Sequence, residues 1–468
     1  MSNSIPRGRR IANSIPRRHN YIPDSESDLG SEDFFIDYSE LDPIQQEIIN
    51  RKHEQNLVVS GTAGSGKSLI ALLKAKQLAQ ESYAVIVYTK TLRRYFATGL
   101  KALGLTNIYH WDEWHQMTDK PHVKYLIVDE CQDFFKDEID EMMKYGDYCL
   151  FFGDTSQSIM GFRRKKENLL HGTQSVEDTA KSLNCAIDWL CFNYRLTKEV
   201  ADVVMRIGEP TIMIPSAFNG EVSDYKKDDR KYTLTNVPYV IIENGNRILM
   251  GDYYIGRKRS DVYNPVVFVR HGEAPKFINE FSDTERRSAV SKFNAQLDRI
   301  IAIIRNTQLT NVAILLPFNF KEKAENYRNM VNDNGAYINS LKKRESVKIV
   351  ENIDYMSVEY VQQYIIEKGM PCEYQYADIH YNNMNVNFRS SNPKIMTYWV
   401  AKGLQFKDVF IPGCENDILD MDYRCQAVSV AMSRCSERLY VCYSGKLSKI
   451  FDDSFKPEYR TVIDDLDF

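Results

Sequence analysis

One glycine-rich segment limits the folds open to this chain more than any other part of it. After a short apolar run, and before a stretch of helical composition, the chain reads Gly61-Thr62-Ala63-Gly64-Ser65-Gly66-Lys67-Ser68. A strand, such a loop and the first turn of a helix together form a phosphate-binding loop. The glycines let backbone N–H groups approach phosphates, Lys67 reaches the outer phosphates, and the Ser68 hydroxyl can coordinate magnesium. The segment therefore predicts a site for ATP and Mg²⁺.

The order of apolar and helical stretches predicts the fold class. Short apolar runs alternate with helical stretches over residues 56–152, and a second such set occupies residues 312–443. This alternation predicts parallel sheets with helices on both faces. Because 468 residues exceed what one core of ordinary size holds, we predict an α/β chain with two such units that meet within residues 193–210.

Composition sets the predicted domain boundaries. Residues 1–38 join an arginine-rich part to an acidic part and hold too little apolar area to fold alone. We interpret them as a tail, which is either a solvated segment without function or an arm that contacts nucleic acid or a partner. Residues 39–205 form the predicted ATP-binding unit and residues 206–468 the second unit, in which the Tyr-, Val- and Ile-rich stretch near 230–269 predicts inserted β structure.

Two carboxylates follow the apolar run Tyr125–Val128 directly. Asp129 stands where a magnesium ligand would belong, beside Ser68, and Glu130 stands where a general base toward the attacking water would belong. An Asp-Glu pair after a strand is, taken alone, as often a solvated turn. Beside the loop that carries Lys67, the pair predicts hydrolysis of the nucleotide.

Further segments resemble, in the expected order, the motifs of the UvrD, Rep and PcrA branch of superfamily 1 helicases. They are Leu41–Gln46, Gly153–Ile159, Asn193-Tyr194-Arg195, Thr397–Phe406 and Val430–Arg434. The resemblance covers residues 41–443 and implies two RecA-like P-loop NTPase domains with parallel sheets flanked by helices.

The resemblance also implies roles for single residues. Gln45 would hydrogen-bond the adenine and Tyr194 would stack on it, while Gly403 and Gln405 of the fifth motif would also bind the nucleotide. Gln157 and Arg195 would contact the γ-phosphate, and Arg434 would be the arginine finger of the second domain. The implied catalytic set is therefore Lys67, Asp129, Glu130, Gln157, Arg195 and Arg434.

Two features depart from the family pattern. Thr397-Tyr398-Trp399 stands where the family has Thr-x-His, and Gln405 replaces the usual Glu. The intervals from Ser68 to Asp129 and from Gly369 to Thr397 are too short for the large accessory insertions of family helicases. The sequence therefore predicts a compact motor.

The formal net charge is −4, so any nucleic-acid surface must be local. The resemblance implies contacts by aromatic and polar side chains, since stacking tolerates every base; the residues are Tyr88, Thr89, Lys90, Trp111, Phe162, Thr397 and Trp399. For Trp111 and Trp114 a place in the core is an equal alternative. The basic run of residues 163–166 either contacts phosphates or forms a solvated helix face.

These patterns favour an ATP-dependent helicase or translocase that acts on single-stranded DNA, from 3′ to 5′ if the resemblance holds. The alternative is a regulatory DNA-stimulated ATPase subunit that controls a partner nuclease in antiviral defence or recombination. A nucleotide-binding module without hydrolysis is a third hypothesis, which the intact catalytic set argues against. Nine scattered cysteines, no secretion signal and no membrane-spanning run predict a cytoplasmic protein; DNA repair is a further possible pathway.

Overall fold

A computed structural model gives the fold. It describes residues 41–51, 54–88, 93, 104–160, 173–190, 192–204, 207, 272–280, 288–333, 353–374, 386–416, 419, 424–451 and 460–461, together with the strands given below between 212 and 270. The predicted α/β class, with two parallel sheets flanked by helices, is confirmed. Among the described helices, none combines the length and the apolar character that crossing a membrane requires.

The first unit is built on a six-stranded sheet. Its strands are β1 (Leu57–Gly61), β2 (Tyr83–Val87), β3 (Ile108–His110), β4 (Val123–Val128), β5 (Gly146–Gly153) and β6 (Ile187–Leu190). All are parallel, in the order β3-β2-β4-β5-β1-β6. The central strands are apolar and buried along their length because helices cover both faces of the sheet. The carboxyl ends of these strands therefore meet at one edge.

The helices of the first unit begin where the sequence supplies a cap or a loop. They are α1 (Pro43–Asn50), α2 (Lys67–Gln77), α3 (Trp111–Gln116), α4 (Lys136–Met142) and α5 (Val176–Ser182). The carboxylate of Asp42 caps α1 by accepting from the backbone N–H groups of Ile44 and Gln45. Helix α2 begins at Lys67, directly after the glycines of the loop, so the N-terminus of the helix faces that loop.

A four-stranded sheet follows the first unit. Strand β7 (Phe192–Thr197) comes after β6 in the chain and is followed by helix α6 (Lys198–Val204). The later strands are β8 (Ile212–Ile214), β9 (Lys226–Lys227), β10 (Arg230–Lys231), β11 (Val240–Glu243), β12 (Asn246–Leu249), β13 (Asp252–Ile255) and β14 (Pro265–Arg270). The sheet order is β7-β14-β13-β8, with β7 parallel to β14 and the other pairs antiparallel. Strands β9 and β10 pair with each other, as do β11 and β12. Within the predicted β structure near 230–269, β13 and β14 are thus joined to the strand that carries Tyr194 and Arg195.

The second unit is built on a seven-stranded sheet. Its strands are β15 (Lys276–Asn279), β16 (Val312–Leu316), β17 (Glu373–Tyr374), β18 (Lys394–Thr397), β19 (Phe406–Ile411), β20 (Cys435–Tyr443) and β21 (Arg460–Thr461). All are parallel, in the order β17-β18-β16-β19-β20-β15-β21. Its helices are α7 (Ala289–Asn306), α8 (Lys321–Asp333), α9 (Val358–Glu367) and α10 (Arg424–Met432).

Three apolar clusters form the cores. Two of them lie on opposite faces of the first sheet, and the third surrounds the second sheet. That third cluster also includes Leu196, Val200 and Val203 of β7 and α6, together with Ile159 and Met160 from the loop after β5. The core of the second unit therefore includes residues that precede position 205, the domain boundary predicted from the sequence. Through these residues the core of the second unit contacts the first unit directly.

Candidate nucleotide site

The glycine-rich loop is tied to strand β7. Gly64 and Gly66 have φ values of 90° and 85°, in the left-handed region that favours glycine. A Cβ at Gly64 would lie 2.6 Å from the Cβ of Arg195. The amide of Asn193 donates to the Ala63 carbonyl at 2.5 Å and accepts from the backbone N–H of Arg195 at 3.1 Å. One buried asparagine thus fixes the distance between the loop and Arg195.

Lys67 lies within its own loop. Its Nζ donates to the carbonyls of Gly61 at 2.8 Å and Thr62 at 3.0 Å. Burial lowers the pKa of Lys67, and the charges of Asp154 and Glu130 act in the opposite direction. An incoming phosphate would replace neutral carbonyls with anionic oxygens, a stronger partner for an ammonium group.

Asp129 and Ser68 lie together at the end of β4 and the start of α2. Burial and the charge of Glu130 raise the pKa of Asp129 to about 7, although a hydrogen bond from the Ser68 side chain acts against this. The Oδ2 atom of Asp129 is buried and accepts no hydrogen bond. A carboxylate oxygen in this position, beside a hydroxyl, fits Mg²⁺, which binds proteins through one or two carboxylates and takes its other ligands from water and phosphate. No cluster of three or more metal-binding side chains occurs among the described residues.

Glu130 adopts a left-handed backbone conformation, with φ 56° and ψ 41°. Its Oε2 accepts from Gln132 Nε2 at 2.5 Å and lies 3.6 Å from the Nζ of Lys402. Burial acts to raise the pKa of Glu130, but the charges of Lys402 and Lys67 outweigh it, and the pKa is lowered. A buried carboxylate that stays ionised near neutral pH can accept a proton from water.

Gln157 is the point where the two units meet. Its Nε2 donates to Asp154 Oδ2 at 2.8 Å, and its Oε1 accepts from Arg434 Nη2 at 2.9 Å. Its backbone carbonyl accepts from Lys402 Nζ at 2.5 Å. Two cations of the second unit therefore converge on one glutamine of the first.

Arg434 stands between α10 and β20 and is 1% exposed. Its Nε donates to the Val430 carbonyl at 2.9 Å, which aims the guanidinium toward Gln157. Burial and the nearby charge of Arg195 lower the pKa of Arg434 to about 9, while the charge of Glu130 acts in the opposite direction. The structure thus brings the predicted arginine finger into the same polar group as the predicted base and γ-phosphate sensor.

Further contacts involve the other residues predicted to bind the nucleotide, and one of these contacts connects the two units. Arg195 Nε donates to Gln405 Oε1 at 3.1 Å, across the gap between β7 and the loop before β19. Tyr194 OH donates to Asp42 Oδ2 at 2.6 Å. Gln45 donates from Nε2 to the Ser65 carbonyl at 3.1 Å, and its Oε1 accepts from the Asp42 N–H at 3.1 Å. Gly403 has a φ of 82° and turns the chain between Lys402 and Gln405.

Sequence reasoning missed three residues of this group. Asn193, Asp133 and Lys402 lie beside predicted site residues in the chain and are buried with charged or polar partners. A signal was present for Lys402, which is the only charged residue between Tyr398 and Phe406. A lysine in such an apolar stretch is buried only when it is paired.

The predicted nucleic-acid residues divide into two groups. Thr89, Lys90, Phe162 and the basic run at 163–166 lie outside the described residues. Trp111 is 4% exposed and packs against Phe134 and His115. Its contact with nucleic acid stays a prediction beside the alternative of a place in the core. Tyr88 packs edge-on against Phe134, with ring centroids 5.0 Å apart.

Thr397 and Trp399 are buried at the carboxyl end of β18. They open the segment that leads to Lys402 and Gln405. Their predicted contact with nucleic acid stays a prediction.

Comparison with known proteins supports the helicase interpretation over part of the chain. Residues 57–233 match the viral superfamily 1 RNA helicase core domain family. No curated protein matches the chain.

Two solved structures show low similarity. The C-terminal domain of a possible DNA helicase from Lactobacillus plantarum WCFS1 is 12% identical, with a TM-score of 0.25, over 41% of this chain and 86% of that one. Arterivirus nonstructural protein 10, a helicase, is 12% identical, with a TM-score of 0.32, over 85% of this chain. This chain spans 61% of the arterivirus protein, less than two thirds of its length.

The family match covers less than half of the chain, and it includes the glycine-rich loop and the acidic pair. Over residues 57–233 the chain is therefore similar to viral superfamily 1 RNA helicase core domains, whereas the narrower resemblance to the UvrD, Rep and PcrA branch stays a prediction.

Proposed function

We propose that this chain hydrolyses ATP and uses the reaction to move along single-stranded DNA in the 3′ to 5′ direction. The convergence of Lys402 and Arg434 on Gln157 carries the proposal, because it makes a complete site depend on the approach of the two units. Phosphoryl transfer needs positioning and charge neutralisation more than covalent chemistry from the protein. A site completed by domain closure couples that chemistry to motion.

The residues divide the work. Lys67, Arg195 and Arg434 supply positive charge around the phosphates, and Glu130 accepts the proton of the attacking water. Asp129 and Ser68 would hold Mg²⁺, which neutralises charge on the β- and γ-phosphates when it is bound. Gln157 lies next to Arg434 and exchanges its contact with that arginine for one with the γ-phosphate.

The test is ATP turnover by the purified chain with and without a single-stranded oligonucleotide. We expect oligo-dT to raise turnover, and we expect Glu130→Gln to lower turnover by about 10²- to 10⁴-fold while ATP binding persists. Glu367→Gln, an exposed glutamate on α9, is the matched control. Displacement of streptavidin from the 5′ end but not the 3′ end of the oligonucleotide reports the direction.

Because the matching family is named for RNA helicases, oligo-rU serves as the second arm. Stimulation by oligo-rU alone would replace DNA with RNA in the proposal. Turnover that neither oligonucleotide changes would refute it.

A second candidate function is that of a regulatory ATPase subunit that controls a partner nuclease in defence or recombination. One contact favours it: Arg270 of β14 donates from Nη1 to the backbone carbonyl of Arg195 at 3.0 Å. Strands β8, β13 and β14 of the four-stranded sheet lie outside the segments that resemble helicase motifs and are thereby connected to the nucleotide site. Turnover that ignores DNA but changes with a co-purified protein would support this function over translocation.

A further inference from the structure

Lys402 belongs to the second unit and forms buried polar contacts with the first. It is 2% exposed, and its Nζ contacts the Asp133 carboxylate, the Gln157 carbonyl at 2.5 Å and Glu130 Oε2 at 3.6 Å. Every polar partner that the described residues give this ammonium belongs to the first unit. Burying an ammonium group removes its hydration, and only polar partners of this kind offset that loss. Lys402 of the second unit is therefore held in place by residues of the first unit.

The partners of Lys402 lie on the two loops that carry the proposed base and the γ-phosphate sensor. Asp133 ends the short 3₁₀ turn that follows Glu130, and Gln157 ends the 3₁₀ turn after β5. The Ser158 hydroxyl also joins these loops, donating to the Gln132 carbonyl at 2.9 Å. Lys402 therefore adds a contact from outside to a pair of loops that already touch.

The segment that carries Lys402 is short and internally bonded. The backbone N–H of Ala401 donates to Thr397 at 3.0 Å, that of Lys402 to Trp399 at 3.3 Å, and that of Leu404 to Ala401 at 3.0 Å. A shift of Thr397 at the end of β18 therefore moves Lys402 as well.

From these contacts we infer that Lys402 is a positioning residue for hydrolysis: it holds the loops of Glu130 and Gln157 in the reacting arrangement and transmits movements of the 397–404 segment to them. The inference rests on the proposed ATP hydrolysis. Lys402 contacts a carboxylate and a carbonyl, so its effect on the reaction passes through Glu130 and Gln157.

The experiment compares Lys402→Met, Lys402→Arg and Asp133→Asn in the full chain. We expect Lys402→Met to lower kcat by about 10- to 100-fold, the range of coupling between residues in contact, with the Kd for a fluorescent ATP analogue changed less than about threefold. Lys402→Arg keeps the charge and should recover part of the turnover. Lys407→Met is the matched control, because Lys407 lies on β19 with its side chain 48% exposed.

The double variant Lys402→Met/Asp133→Asn separates positioning from folding. If the pair acts as one unit, the double variant loses no more turnover than the worse single variant. Thermal unfolding of each variant shows which losses come from stability, and the cycle can be completed with Lys402→Gln if the methionine variant unfolds.

Wild-type turnover in Lys402→Met and Lys402→Gln, or losses that add in the double variant, would overturn the inference while leaving the proposed hydrolysis intact. A wild-type chain that does not hydrolyse ATP would overturn both.

Discussion

The two walls of the candidate site differ in what holds their side chains. On the first wall, Lys67 bonds to its own loop, and Gln45 and Asn193 bond to carbonyls of the same loop. On the second wall, Lys402 and Arg434 reach Gln157 of the opposite unit. These contacts of the first wall lie within its own unit, whereas Lys402 and Arg434 make their contacts with Gln157 only when the units meet.

This difference assigns separate tasks to the walls. A loop that is fixed by its own unit can bind phosphates in any arrangement of the two units. In the proposed reaction, charges that arrive from the other unit act only when the two units meet, so they would serve the transition state more than the bound substrate. Interactions made only in the transition state change kcat and leave binding nearly unchanged.

The strongest test of the comparison is Arg434→Ala. We expect turnover to fall by about 10³-fold, the lower range for an arginine finger, with ATP affinity changed less than about threefold. Arg438→Ala is the control, because Arg438 lies on β20, which begins directly after Arg434, and pairs with Asp408 away from the site. Steady-state turnover and equilibrium ATP binding give the two numbers. An affinity loss as large as the turnover loss would show that the second wall also binds substrate, and the comparison would fail.

The sequence predicted the first wall better than the second for a physical reason. Its parts are local: a loop between a strand and a helix, and an acidic pair directly after a strand, so spacing along the chain sets spacing in space. Asp129 and Ser68 meet as this rule predicts.

The second wall depends on contacts between residues that are far apart in the chain. Lys402 and Asp133 meet across 269 positions, and no local pattern encodes that pairing. The resemblance to a helicase family supplied Arg434 and Gln157 as positions to examine. It did not supply Lys402, because the resemblance assigns no role to that residue. The link between β14 and β7 was also missed, since strand pairing of that kind is not visible in composition.

Glu415 tests whether a polar group inside the second unit affects the candidate nucleotide site. It is partly buried and accepts from Gln296 Nε2 at 3.1 Å, and loss of hydration raises the pKa of Glu415 to about 7. The ordinary pKa of a glutamate is 4.5. Between about pH 4.5 and pH 7 the folded chain therefore keeps a proton on Glu415 that the unfolded chain has released. Stability is therefore lost as pH rises from about 4.5 to about 7.

We expect Glu415→Gln to remove this pH dependence and to stabilise the chain by on the order of 2 kcal/mol at pH 8. Urea unfolding at pH 5 and pH 8 measures the effect. Turnover at a fixed pH should stay at the wild-type level, and a large loss there would mean that the interior of the second unit is coupled to the cleft.

The smallest expected effect is on turnover and concerns Gln405, a neutral side chain of the second unit that contacts Arg195 of the first. Its Oε1 accepts from Arg195 Nε at 3.1 Å, so it acts on the nucleotide through that arginine or, as the resemblance implies, by direct contact. A hydrogen bond to a charged group contributes about 1.5–3 kcal/mol when buried, and this one is only partly buried. Gln405→Ala should therefore lower turnover by about two- to tenfold.

The background of Arg195→Ala distinguishes the two routes. If Gln405 acts by holding Arg195, its removal has no further effect once that arginine is gone, and ATP affinity is unchanged in either background. If Gln405 contacts the nucleotide itself, Gln405→Ala lowers turnover by the same factor with and without Arg195 and weakens ATP binding in both. The second result would show that the second wall also binds the nucleotide, through Gln405. The separation between nucleotide binding and transition-state stabilisation would then hold for Lys402 and Arg434 but not for Gln405.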